Sequence, residues 1–239
     1  MIRLAIETAT DRATVALGHG AADAAEREIV GARRHAAGLI PAIADLLAEA
    51  GWTLDQVSGL VLSDGPGSFT GLRVGGAVAK ALARARGWAV WTAPSLLVRA
   101  AGVAEEGQTV LAVTDALRGE VYAAAYRFGP GSIERVLPPS VYPPEALGAG
   151  PVRPDRVVAE VPAPMAALLE RAFGVGLVTG ERATPRARIL LGLADRAGGA
   201  SRIEQVEGWE PVYGRPAEAQ ARWETAHGRP LPGTSGRSD

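Results

Sequence analysis

The 239-residue chain contains no cysteine. That excludes thiol nucleophiles, disulfides and Cys-ligated zinc, and it permits a reducing compartment. A chain of this length needs no such staple, because it can bury roughly 70–75% of its unfolded surface. Histidine is scarce, and His19, His35 and His227 lie far apart in sequence, so no histidine-based metal site is expected. Lys80 is the only lysine. Basic and acidic residues number 25 and 26, a net charge of −1, whereas a protein that grips nucleic acid by itself shows a basic excess. No uncharged run approaches the ~18–20 residues of a membrane span. The N-terminus meets Glu7 after a few apolar residues, which argues against a signal peptide and for a soluble, cytoplasmic protein.

What the chain does have is one dense stretch, Ser63 to Gly76, reading SDGPGSFTGLRVGG. The apolar run Leu60-Val61-Leu62 before it reads as a buried strand, and Thr70 to about Arg86 after it as a helix. The turn is not a P-loop. Gly71 is followed by Leu72 rather than lysine, and Lys80 stands two turns further on. Gly65, Gly67 and Gly71 also miss the G-x-G-x-x-G spacing. Nor is it a nucleophile elbow, since Thr70 occupies the place where G-x-S-x-G requires glycine after Ser68. Two readings stay open for it: an anion cradle at a helix N-terminus, or a tight turn with Ser68 or Thr70 capping the helix.

The helix from Thr70 to Arg86 is apolar round most of its circumference, with charge confined to Arg73, Lys80 and Arg84. Such a helix is covered on more than one side, within its own domain or by another protein. From Gly65 to Ala104 there are five basic residues (Arg73, Lys80, Arg84, Arg86, Arg99) and no acid. Arg84 and Arg86 suit a helix C-terminus, and the others could meet an acidic partner or phosphates.

The opening reads as strand (Leu4 to Ile6), polar turn, strand (Thr14 to Leu17) and strand (Ala24 to Val30). Residues 36–50 carry an apolar stripe, Leu39, Ile43, Leu46, Leu47 and Ala50, with Pro41 marking a start or a kink and Gly51 the stop. Arg33 and Arg34 at its positive end and Asp45 and Glu49 toward its negative end oppose the helix dipole, so this helix depends on packing. Thr53 to Gln56 has capping-box spacing. A polar break near residues 100–108 precedes a second opening of the same outline, with Leu111-Ala112-Val113 matching Leu4-Ala5-Ile6 and Asp115 matching Glu7. Residues 143–154 read as loop, and the chain beyond His227 as a mobile tail. Glu7 and Asp115 could face one another across a cleft and hold a magnesium–phosphate unit, or they could be ordinary strand-end acids.

GPGSFTGLRVG after a buried strand resembles the signature of the bacterial TsaB (YeaZ) family. LAIETAT, RRHAAGLIPAIADLL, VTDALRGEVYAAAY and EPVYGRP agree with it in order and spacing, up to about residue 216. The resemblance implies an α/β chain with the duplicated ribonuclease H-like fold of actin, sugar kinases and Hsp70. The first domain would span residues 1–104, a degenerate second 105–213, and a tail 214–239. It implies a non-catalytic scaffold in N6-threonylcarbamoyladenosine synthesis on tRNAs that read ANN codons, which activates the catalytic TsaD subunit and is joined by the ATPase TsaE. The resemblance further implies a chain that pairs with itself when TsaD is absent and meets tRNA only through the complex. On that reading the interface is His35, Leu39, Ile43, Leu46 and Leu47 on one helix, with Phe69, Thr70, Arg73, Val74, Ala77, Val78 and Ala81 on the other. No cofactor or metal is expected, and Glu7, Thr8 and Asp115 are the residues a nucleotide would contact if one bound. The family usually has Asp where this chain has Glu7. A phosphotransferase of the same fold using Glu7 and Asp115 is the competing reading, and a peptidase finds no triad, dyad or metal set.

Overall fold

The computed structural model describes residues 1–31 and 35–214. Arg33, Arg34 and the tail beyond Gly214 lie outside the described residues.

Two sheets repeat one topology. In the first, β1 (Ile2–Glu7) pairs antiparallel with β2 (Arg12–Gly18), and β2 with β3 (Ala25–Val30). On its other side β1 pairs parallel with β4 (Val57–Ser63), and β4 with β5 (Ala89–Ala93). The second sheet does the same with β6 (Thr109–Asp115), β7 (Val121–Gly129), β8 (Ser132–Tyr142), β9 (Arg156–Glu160) and β10 (Leu177–Val178), in the order β10-β9-β6-β7-β8. The strand order 3-2-1-4-5, with the same parallel and antiparallel pairs, makes this a duplicated ribonuclease H-like fold. The internal echo between Leu4-Ala5-Ile6 and Leu111-Ala112-Val113 is its trace in the sequence.

Helices fill three layers. α1 (His35–Ala50) and α2 (Phe69–Arg86) cover the outer face of the first sheet, and α4 (Pro144–Ala149) and α5 (Ala163–Phe173) that of the second. Between the sheets lie α3 (Ser95–Ala101) and α6 (Ala187–Leu193). Each central strand is buried on both faces, as parallel strands under helices must be. Leu4, Ile6, Leu60 and Leu62 point to α1 and α2, while Ala5 and Val61 point inward. The inner faces are rich in alanine (Ala5, Ala16, Ala93, Ala112, Ala124), which lets α3 and α6 lie close to both sheets.

The C-terminal segment does not stay with the second sheet. α6 packs on β1 and β2, and β11 (Ser201–Arg202) adds to the edge of the first sheet beside β5. Residues 203–213 then run as a strap over α2. Ile203, Val206 and Trp209 join the core beneath α1 and α2, and Trp209 and Pro211 lie against Gly76.

Some expectations change. α1 begins six residues before Pro41, whose ring sits on the exposed side of the helix and marks no start. Residues 143–154 hold the short helix α4, opened by Pro144 at its first turn. The second cover of α2 comes from this chain's own strap. Asp45 and Glu49, which oppose the helix dipole, are engaged by Arg27 of β3, 3.4 Å from Asp45. The caps agree with the sequence: Gly51 adopts φ +66, and Thr53 N donates to Gln56 Oε1 at 2.8 Å.

Candidate functional site: a sealed turn beside an open helical face

The turn after β1 carries Glu7, which the competing phosphotransferase reading needs, and α2 packs against it. Ser68 N donates to Ala9 O at 2.7 Å, and Ser68 Oγ accepts from Gly71 N at 3.2 Å as the N-cap. The helix end presses so closely that a Cβ at Gly67 would fall 2.4 Å from Ala9 O, and one at Gly71 2.0 Å from Thr8 O. Side chains are excluded by contact, so the glycines serve close approach and not an anion. Of the two readings open for the stretch, capping by Ser68 is the one the geometry supports.

Glu7 and Thr8, candidate nucleotide contacts, are therefore buried and closed off. Glu7 Oε1 accepts from Ala9 N at 2.7 Å. Its Oε2 and Ser63 Oγ are buried without a hydrogen-bond partner, and the hydroxyl faces the carboxyl. Burial pushes the Glu7 carboxyl up to about 7, against the opposing pull of Ala9 N–H, Ser63 and Arg99. Asp64 is likewise pushed up to about 6 by burial. Arg99, 4% exposed, is bonded to Glu160 at 2.6 Å and to Ala183 O, which ties the first repeat to the second. Asp115 spends Oδ1 on Leu117 N at 2.8 Å. Glu7 and Asp115 thus each serve their own turn, and no group of three His, Cys, Asp or Glu suited to a metal occurs among the described residues.

The residues that the resemblance assigns to an interface divide by exposure within this chain. His35, Leu39, Ile43, Leu46 and Leu47 are buried in the chain's own core. They are the stripe that holds α1 to the first sheet, each large apolar one contributing roughly 1.5–3 kcal/mol, and none is free to meet a partner. His35 Nε2 lies 3.2 Å from Asp11 O. On α2, Thr70, Arg73, Ala77 and Ala81 are exposed, and Phe69, Val74 and Val78 are half-buried. Spacings of three and four place them on one stripe. The open side of α1, which sequence reasoning missed, is Ala36, Ala37, Ile40, Pro41, Ala44 and Ala48, with Ile40 51% exposed. The signal was available: Ile40 is the one large apolar residue off the Leu39–Leu47 stripe. α1 and α2 lie side by side, and their open sides together carry mostly small and apolar residues, with Arg73 and Arg84 on the α2 side. No helix among the described residues is long and apolar enough to cross a membrane.

Fold and face together define a duplicated ribonuclease H-like protein whose first turn is sealed and whose first helical layer is uncovered. Comparison with known proteins places it further. The family model described as TsaD, tRNA N6-adenosine threonylcarbamoyltransferase, matches residues 29–178. The solved structure of YeaZ from Pseudomonas aeruginosa superposes with a TM-score of 0.72 at 30% identity, covering 89% of this chain and 99% of that one. A second Pseudomonas aeruginosa structure, described as an uncharacterized protein with similarity to peptidase YeaZ, gives 0.74 at 31% identity over 90% and 99%. The Escherichia coli tRNA threonylcarbamoyladenosine biosynthesis protein TsaB is 36% identical over 146 residues, 58% of this chain and 63% of that protein. An uncharacterized Mycobacterium leprae protein is 41% identical over 62% of this chain and 41% of its own length. The matched stretches thus span less than two thirds of these curated relatives. The chain belongs to the TsaB (YeaZ) family.

Proposed function

We propose that this protein takes part in N6-threonylcarbamoyladenosine synthesis on tRNAs that read ANN codons, as a cytoplasmic, non-catalytic subunit that docks and activates a TsaD-type transferase. The open face of α1 and α2 carries this reading. It is helical, small-sided and apolar, and it can admit two further helices at close range. The names of the Escherichia coli relative and of the matching family model supply the pathway. The sealed β1 turn supports a role other than phosphate chemistry, because Thr8 and Glu7 lie beneath α2. In this reading residues 1–104 form the docking repeat, 105–213 the second, degenerate repeat, and a TsaE-type ATPase joins the pair. The same face pairs two copies of this chain when the transferase is absent, and tRNA is met through the complex.

Light scattering with and without the cognate TsaD-type subunit tests the reading. The mixture should give a heterodimer mass. Ala77→Arg and Ile40→Asp, both exposed positions, should abolish it while leaving thermal unfolding unchanged. Undiminished assembly by both variants would refute the docking face.

A further inference from the structure

Five basic residues without an acid stand between Gly65 and Ala104, and the structure sorts them. Lys80 bonds Glu210 at 2.9 Å and Glu207 O at 3.3 Å. Arg86 bonds Asp55 at 2.5 Å, and Arg99 is bonded to Glu160. Arg73 and Arg84 have no carboxylate partner among the described residues, and both are exposed on the open side of α2.

Arg73 differs from Arg84 in being held. Its guanidinium stacks 4.3 Å over the Phe69 ring and 5.8 Å from the Tyr213 ring, and its Nε donates to Tyr213 Oη at 3.4 Å. Phe69 and Tyr213 are themselves in contact, with centroids 4.6 Å apart. Tyr213 is brought there by the strap. Val212 N donates to Asp64 O at 2.7 Å, and a Cβ at Gly65 would fall 2.1 Å from Val212 O, so Gly65 is glycine to let the strap close. A guanidinium stacked on rings has surrendered rotamer freedom, and Arg73 remains exposed with only its Nε donated to Tyr213 among the described residues. Binding a carboxylate then costs little further ordering.

We propose that Arg73, on the platform made by Phe69 and Tyr213, is the anchor by which the docking face recognises its partner, and that it takes a carboxylate side chain of the docked protein. This rests on the docking reading above and names the chemistry it uses. Charge favours a protein carboxylate over RNA. The face beside Arg73 is apolar (Val74, Ala77, Val78, Ala81), the neighbouring cation Lys80 is already neutralised, and the chain as a whole is at −1. One fixed cation at the end of an apolar stripe matches one buried ion pair at a protein interface, where arginine is enriched among energetic anchors. It does not match a run of phosphates. The strap thereby has a role beyond covering α2, since it sets the geometry of the anchor.

Titration calorimetry against the cognate TsaD-type subunit, at low and high salt, decides. Wild type should bind and weaken with salt. Arg73→Met should lose about tenfold or more in affinity and most of the salt dependence, a change that a packing role alone would not produce. Arg73→Lys should recover part, since lysine keeps the charge but not the fork. Tyr213→Ala should lose about fivefold and Tyr213→Phe little, with urea unfolding of the exposed Arg73 variants unchanged. If wild type binds and Arg73→Met binds equally well at both salts, the anchor is refuted and the docking face stands. If wild type does not bind, both fall. If Arg73→Met binds the subunit normally but the assembled complex loses affinity for tRNA, Arg73 serves a phosphate and the proposal is overturned.

Discussion

The turn after β1 and the turn after β6 occupy equivalent places in the two repeats, and they have gone in opposite directions. The first is closed: Glu7 and Thr8 are buried and α2 sits on the backbone. The second is open, with Leu117 63% exposed and Leu117, Arg118 and Gly119 all at positive φ (62, 55 and 82). The difference comes from the segment that leaves the fourth strand of each repeat. After β4 the glycine stretch lets α2 descend onto the first turn. After β9 the chain enters α5 through Pro162. A duplicated fold therefore does not carry two copies of one site. Where the helix lands decides whether a strand-end acid becomes a buried strut or stays a turn residue.

Three perturbations separate the two turns. The largest effect belongs to Gly71→Val, because the new Cβ meets the Thr8 carbonyl in a turn that cannot recede. We expect a loss of roughly 3 kcal/mol or more in urea unfolding. Gly119→Ala in the open turn meets nothing within 4 Å and should cost about 1 kcal/mol for its φ of +82. Equal costs would break the comparison.

Next comes the buried acid. Glu7 is raised from 4.5 to about 7 by burial, so the folded protein keeps a proton that the unfolded chain releases. That contribution is complete below pH 4.5 and is lost as pH rises toward 7, and Asp64, raised to about 6, acts with the same sign. Glu7→Gln keeps the acceptor for Ala9 N–H and carries no charge. It should flatten the fall in stability between about pH 5 and 7, and exceed wild type by roughly 2–3 kcal/mol at pH 8. Parallel profiles for the two proteins would mean that the carboxyl is ionised in the folded state.

The smallest effect is in the strained turn. Leu117→Asn replaces a branched side chain at positive φ by one that tolerates it, and should stabilise by about 0.5–1 kcal/mol, a rise of about 1–3 °C in Tm. A drop would show that the exposed leucine makes a stabilising contact.

Much of the fold was legible. The strand–glycine–helix order, the stripe of α1 and the Gly51 stop come from local pattern, and the repeat of Leu4-Ala5-Ile6 in Leu111-Ala112-Val113 comes from duplication. The site was legible only in part. Periodicity says that Leu39, Ile43, Leu46 and Leu47 share a face. It does not say whether that face meets this chain or another, because burial in a core and burial in an interface ask for the same side chains. The five cations between Gly65 and Ala104 were visible, yet the carboxylates that engage three of them, Glu210 with Lys80, Asp55 with Arg86 and Glu160 with Arg99, are remote in sequence.

The sequence by itself determined most of the elements, the duplication and the family, and by placing Leu72 rather than lysine after Gly71 it excluded a P-loop, because these are written in the order of residues along the chain. Tertiary structure alone decided that the glycine stretch seals the β1 turn, that the strap covers a second side of α2, and that Arg73 and Arg84, unlike Lys80, Arg86 and Arg99, have no carboxylate partner among the described residues. Each of these is a contact between residues far apart in the chain, and its physical basis is the distance at which two backbones or two charges come to rest.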